Sequence, residues 1–346
     1  MADIHRVLRR LRRRRNRNQN QHRVPVFRRL QNPLQTLPDA DVFERFRFRP
    51  CTIMYILSLI RCTLERPTHR SQALSPLTIL LCSLRFFATG SFYTCIGDTL
   101  GLSEATVSRC VTTVASSLCR LSNRFIIFPT GQALKRVKQD FFALAGFPNV
   151  AGCVDGTFVR LQAPCQDEQD YVNRKGYHSL NCQMTCDAGF KITSCVAKWP
   201  GSCHDARMFR DSNLRHKFEN GTYEGFLLSD SAYPTRQFLM TPYNNALSQQ
   251  QQNFNNALCR TRVTIEQTYG ILKRRFSCLH TGLRVSPNRA AQVIIACVVL
   301  HNIGIEQGDI IDHDNQNLGD EGNFDINYCG VQDGAGVRDH ICRTFF

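Results

Sequence analysis

The amino-acid sequence predicts an α/β protein, a mixed sheet flanked by helices and preceded by an all-α region with a helix-turn-helix-like unit. Three observations predict it. Between residues 50 and 120 the apolar positions recur at helical spacing, as in Leu77, Leu80, Leu81, Leu84 and Phe87. From about residue 146 short apolar, β-branched runs replace that stripe, and helical patterns return only after them. Runs of strands followed by strand–helix alternation are the pattern of a sheet covered by helices.

Residues 50–66 read as a helix that Pro67 stops. The next helix starts at Ser75-Pro76, with Ser75 as cap and Pro76 in the first turn, and ends near Gly90. Residues 91–101 form a short helix closed by Gly101, and Ser103 caps the helix after it. Short helix, glycine turn and capped helix make a helix-turn-helix pattern, with Glu104, Thr106, Ser108 and Arg109 on the polar side of the last helix. A plain packing bundle reads the same way, and only Arg109 and Arg120 give this helix positive charge. Strands are expected at 150–161, 180–186, 191–197 and 226–230, and helices at 206–218, 262–275 and 289–306.

The chain has 346 residues, 42% of them hydrophobic, which is enough for a sizeable core. No apolar run reaches the roughly 18 residues that span a bilayer, and the N-terminus lacks the apolar stretch of a secretory signal. A soluble intracellular protein with no membrane partner is expected. The 17 cysteines are scattered without a Cys-x-x-Cys pair, so they read as reduced core residues. Cys182 and Cys186 are spaced like half a zinc site, but no second pair follows.

The net charge is +15, and residues 1–30, with eleven arginines and one acid, carry +10 of it. The expected organisation is a disordered Arg-rich tail over 1–30, a helical region over 31–145, a catalytic domain over 146–306 and an acidic flexible tail over 307–346. The basic tail suits nuclear import or DNA phosphates, or is simply a solvated charge run.

Four acids lie in separate segments: Asp155 in Gly-Cys-Val-Asp-Gly-Thr-Phe, Asp205 in Ser-Cys-His-Asp-Ala-Arg, Asp230 in Leu-Leu-Ser-Asp-Ser-Ala, and Glu266 in Thr-Ile-Glu-Gln-Thr-Tyr. A carboxylate beside apolar runs is costly unless it is paired or binds metal. Several hard oxygen ligands in a basic protein point to Mg²⁺ or Mn²⁺ acting on a phosphate backbone, where two divalent ions activate a water and stabilise the leaving oxygen. Three of the acids have a plainer reading: Asp205 as a helix cap, Asp230 as a turn residue, Glu266 paired with Arg262 four residues earlier; Asp155, inside an apolar strand, needs a partner. Arg174 and Lys175, in Asn173-Arg-Lys-Gly176, can bind DNA phosphates or merely turn the chain; Lys273, Arg274 and Arg275 can track a DNA backbone or favour a helix C-terminus.

Longer strings carry a resemblance. Arg66-Pro-Thr-His-Arg-Ser71, Gly97-Asp-Thr-Leu-Gly-Leu102, Tyr171-Val-Asn-Arg-Lys-Gly-Tyr-His-Ser-Leu-Asn-Cys182, Trp199-Pro-Gly-Ser202, Leu239-Met-Thr-Pro242 and Val299-Leu-His-Asn-Ile303 occur in order over residues 50–306. In these the chain resembles the PIF/Harbinger transposases and transposase-derived nucleases. The resemblance implies a ribonuclease-H-like DDE catalytic domain with Asp155, Asp230 and Glu266 as catalytic residues. It implies that these three and Asp205 bind divalent metal, and that the substrate is DNA. It further implies nuclear location, with the cytoplasm as a second compartment, and a Myb/SANT-like companion protein; the arginine-rich N-terminus departs from the family's pattern. The residues leave open whether the protein turns over or has become a non-catalytic DNA- or protein-binding module, and they leave the oligomeric state open.

Overall fold

A computed structural model describes residues 32–66, 73–309 and 333–346. The Arg-rich tail, part of the Arg66–Ser71 string and residues 310–332 lie outside the described residues.

The helical region comprises α1 (Asp39–Phe46), α2 (Pro50–Leu64), α3 (Pro76–Thr89), α4 (Tyr93–Leu100), α5 (Glu104–Cys119) and α6 (Gly131–Ala145). The expected caps are present. Ser75 Oγ accepts from Thr78 N at 3.1 Å, and Ser103 Oγ from Thr106 N at 3.3 Å. Gly90 closes α3 at φ 66°, and a Cβ there would lie 2.9 Å from the Cys278 Cα, so both the turn and the packing demand glycine. Helices α1 and α6 carry no signal strong enough to have been expected from the sequence alone.

Five strands follow: β1 (Val150–Arg160), β2 (Ser179–Cys186), β3 (Ile192–Pro200), β4 (Phe226–Leu228) and β5 (Leu239–Met240), in the order β3-β2-β1-β4-β5. The first three are antiparallel neighbours, whereas β4 joins β1, and β5 joins β4, in parallel. This mixed sheet with helices on both faces is the expected architecture. The segment expected as one helix over 206–218 is two, α7 (Asp205–Arg210) and α8 (Asn213–Glu219), because Ser212 leaves the first and caps the second through Arg215 N at 3.2 Å. Helix α9 (Gln249–Arg275) starts thirteen residues earlier than expected, on a Ser248/Gln251 capping box.

The two sheet faces carry separate cores. Ala151, Val154 and Leu227 pack with Phe209, Leu214 and Phe218 of α7 and α8. The opposite face, with Cys153, Cys182 and Met184, joins a core that runs from Val42 to Cys342 through α9 and α10 (Pro287–Glu306). Helix α10 is long and apolar enough to cross a membrane by composition, yet it is largely buried against α5 and β3, where Asn302 bonds both Ile192 N (2.9 Å) and Ile192 O (2.7 Å). The core is therefore continuous across residue 146, where the secondary structure changes type.

Residues 307–346, expected to be loose, are anchored at both described ends. Asp309 is buried, its carboxylate accepting from Arg49. Helix α11 (Gly334–Phe345) buries Val337, Ile341 and Cys342, and Tyr243 Oη donates to Asp339 at 2.6 Å. Apolar residues thinly spaced among acids and glycines dock this helix, a pattern that composition hides.

Candidate active site

Register places the first two acids. Cys153 of β1 pairs with Leu228 of β4 in parallel, so Asp155 and Asp230 lie two residues beyond the same rung. Strand β4 ends there, which opens the sheet beside Asp155. Since Cys153 Sγ reaches Thr261 O and Lys273 Nζ reaches Thr157 Oγ1 (2.8 Å), the face bearing residues 153, 155 and 157 looks at α9. On α9, residues 262, 266, 269 and 273 fall at i, i+4, i+7 and i+11, one stripe facing β1. Tyr269 Oη donates to Asp155 O at 2.6 Å, which fixes the strand at the acid.

Arg262 stands between two of the carboxylates, 2.8 Å from Glu266 Oε1 and 3.8 Å from Asp155 Oδ2. The i, i+4 pairing of Glu266 is thus real, and it does not remove Glu266 from the cluster, because the same guanidinium binds it to Asp155.

Asp205 arrives from the other face. It is the first residue of α7, not its cap, and its Oδ1 accepts from Asn181 Nδ2 at 2.9 Å. A Cβ on Gly156 would sit 2.2 Å from that Oδ1, so glycine next to Asp155 is what lets Asp205 approach. Asn181 also donates to Cys203 O at 2.9 Å, while its own Oδ1 is buried without a partner. A cavity of about 530 Å³ opens here, lined by Phe158, Arg174, Asn181, His204 and Asp205.

The electrostatics link the three aspartates. Burial pushes Asp155 up to about 6; Gly156 N–H opposes this, the Asp230 charge adds to it, Arg262 opposes, and Asp205 adds a little more. Asp205 is raised too, first by burial and then by Asp230, against the Asn181 hydrogen bond. Arg262 is lowered by burial, but Glu266 and Asp155 outweigh that and hold it above the usual arginine range. Because the folded-state pKa of Asp155 exceeds the unfolded one, its ionised form costs stability above about pH 6, and that cost is relieved as pH falls toward 4. Divalent binding, which needs the ionised form, should run the other way: the affinity is expected to rise as pH increases through about 6, which calorimetry checks. A flat profile from pH 5 to 8 would contradict this placement of Asp155.

Among the described residues no three His, Cys, Asp or Glu side chains form a ready-made metal cage. The acids are nonetheless hard oxygen donors: the charges of Asp230 and Asp205 act on Asp155, and Glu266 is tied to Asp155 through Arg262. That set fits Mg²⁺ or Mn²⁺ and not zinc. Cys182 and Cys186 sit buried on β2 with burial pushing both thiols up, so the half-zinc spacing is core packing.

The other expected contacts divide. Arg174 and Lys175 are exposed on a turn that Asn173 knits by accepting from Lys175 N (2.9 Å) and Tyr177 N (3.4 Å). Arg274 is exposed. Arg109 is exposed on α5, bonded to Thr106 (3.2 Å), away from the acids' own elements. Lys273 is a correction: it points inward, donating to Thr157 Oγ1 and Phe158 O (3.1 Å), and burial lowers its pKa. It holds α9 to β1 and is not free to follow a DNA backbone. Asn181, Gln183 and Tyr233, the last two bonded at 3.1 Å, join the site with no local signal to mark them, although Asn181 lies within the Tyr171–Cys182 string.

Arg262 competes with any cation for Asp155 and Glu266. Arg262→Gln should therefore tighten Mn²⁺ binding, by roughly fivefold if the half-exposed pair is worth about 1 kcal/mol. Calorimetry checks this, and weaker binding in the variant would show that Arg262 is not a counter-ion.

Comparison with known proteins matches residues 154–302 to the DDE superfamily endonuclease family. The chain is 39% identical over 280 residues to a protein named as a nuclease, HARBI1, of Homo sapiens, covering 80% of each chain. It is 39% identical over 278 residues to the protein of that name in Xenopus laevis, covering 79% of this chain and 80% of the relative. A protein named ALP1-like in Arabidopsis thaliana is 26% identical over 337 residues, 88% of this chain and 81% of that one. No solved structure matches significantly.

Proposed function

Since the chain belongs to the Harbinger transposase-derived nuclease family of DDE superfamily endonucleases, we propose that it is a divalent-metal-dependent DNA endonuclease that hydrolyses phosphodiesters. The observation that supports this most is the matched register of Asp155 and Asp230 with Glu266 tied to Asp155 through Arg262. A purely structural sheet gains nothing from acids that raise one another's pKa.

Asp155, Asp230, Asp205 and Glu266 would hold Mg²⁺ or Mn²⁺, which when bound supplies charge neutralisation at the phosphate and lowers the pKa of the attacking water. Tyr269 and Lys273 keep β1 rigid against α9, so the Asp155 carboxylate cannot drift. Asn181 orients Asp205. Arg262, which lies between Asp155 and Glu266, would offer its charge to the phosphate if those carboxylates held metal. Arg174, which lines the cavity with Asp205, and the exposed Lys175 next to it can take the flanking DNA phosphates.

Purified full-length chain with plasmid DNA tests the reading. Nicking or cutting is expected with Mg²⁺ or Mn²⁺ and none with EDTA; DNA left intact with both ions, with and without a DNA-binding partner, would count against it. Sparse cations on α5 and the basic tail support two further parts of the proposal. Target choice belongs to a companion of the Myb/SANT type, and the protein works in the nucleus, with a cytoplasmic pool.

A further inference from the structure

A second cleft, of about 620 Å³, lies between the start of α5 and the loop leading into α10. Phe92 lines it and is 56% exposed, and the Arg284 guanidinium covers its ring at 4.0 Å. Phe86 and Tyr93, with centroids 5.1 Å apart, add aromatic wall, and Arg289 adds a second exposed cation. Neither arginine has a carboxylate partner among the described residues. Glu104 faces the same space as a hydrogen-bond acceptor.

The cleft is joined to the acids by a built path. Leu283 pairs with Leu161 just past the end of β1, with Leu283 N donating to Arg160 O at 2.9 Å and Gln162 N to Leu283 O at 3.0 Å. Along that way Arg174 lies over Phe158 at 6.0 Å and Arg160 over Tyr177 at 4.3 Å, before Arg284 over Phe92. Exposed guanidinium planes on aromatic rings are what bases and phosphates of an opened strand bind. Six residues of strand separate Asp155 from Leu161, about 20 Å at roughly 3.3 Å each.

We propose that this cleft takes an unstacked nucleobase of the DNA substrate, stacked by Phe92 and Arg284, with Arg289 on a neighbouring phosphate. The inference rests on the DNA reading above. A plain packing role for Phe92 leaves unexplained why the ring is exposed and why unpaired arginines border it. Glu104 disfavours phosphate in the depth of the cleft and suits a base with an exocyclic amine.

The test is binding of full-length protein in EDTA, so that nothing is cut, to single-stranded and duplex 20-mers carrying 2-aminopurine. Phe92→Ala should weaken single-strand binding by about tenfold, the worth of one stacked base, and abolish the 2-aminopurine change. Phe92→Trp should retain both. Arg289→Gln should lower the salt slope by about one phosphate. Circular dichroism should be unchanged, since Phe92 is exposed. If Phe92→Ala binds as wild type does, the cleft is overturned while metal-dependent cutting stands. If the wild-type chain binds neither oligonucleotide, both readings fall.

Discussion

Asp155→Ala should lower metal-dependent DNA cleavage by at least about 10³-fold, because charge neutralisation by a bound divalent ion is worth several kcal/mol at the phosphate. Asp230→Ala should do the same, since the register sets both acids just beyond the same rung of two adjacent central strands. Glu266→Gln should be less severe in metal affinity, as Glu266 is half exposed and the aspartates stay, yet it should still lose turnover. Steady-state cleavage with oligonucleotide binding in EDTA as control separates chemistry from binding. Removing a buried, pKa-raised carboxylate also relieves a desolvation cost, so Asp155→Ala should melt no lower than wild type without metal. Undiminished cleavage by Asp155→Ala would end the DDE reading of this site.

The largest stability effect is expected away from the acids, at Arg275. Its side chain is fully buried, and burial lowers its pKa to about 10, so it remains charged at neutral pH. The guanidinium donates to Arg47 O at 3.0 Å and to Asp309 O, and lies over the Phe48 ring at 5.3 Å. It ties α9 to the end of α1 and to the segment after α10. Gly304 of α10 is shaped to it: a Cβ there would fall 2.7 Å from Nη1. Arg275→Met keeps volume but strands the buried Asp309 carbonyl and the half-buried Arg47 carbonyl, a loss of about 3–5 kcal/mol, or roughly 10 °C in Tm. Thermal melting checks it, with Arg275→Lys expected to recover part of the loss; a variant that melts with wild type would show the bonds contribute nothing.

Much of the fold was legible because it rests on local rules. Ser75 and Ser103 cap, Gly90 and Gly101 stop, and the apolar runs of β1 and β2 read as buried strands. The family's strings named the acids. Where reading failed, the cause is visible in α9. Its glutamine- and asparagine-rich start exposes no apolar stripe beyond Phe254, Ala257 and Leu258. Farther on the helix is covered on more than one side, and two of its buried threonines satisfy their hydroxyls on their own helix, Thr261 on Ala257 O (2.8 Å) and Thr268 on Thr264 O (2.7 Å). Polar residues there look exposed and are not. The same effect turned Lys273 and Arg275 from apparent DNA contacts into internal fastenings.

What the sequence determined by itself is therefore the kind of each strong element, the inventory of carboxylates and the family that uses them, since these depend on neighbours within a few residues. What only the tertiary structure decided is which charges meet: Arg262 between Asp155 and Glu266, Asp205 against Gly156, Asp309 under Arg49, and Arg284 over Phe92. Except within α9, these partners lie tens to hundreds of residues apart. Their pairing is set by strand register and by which helix face is covered, and neither quantity is written in any local window of the chain.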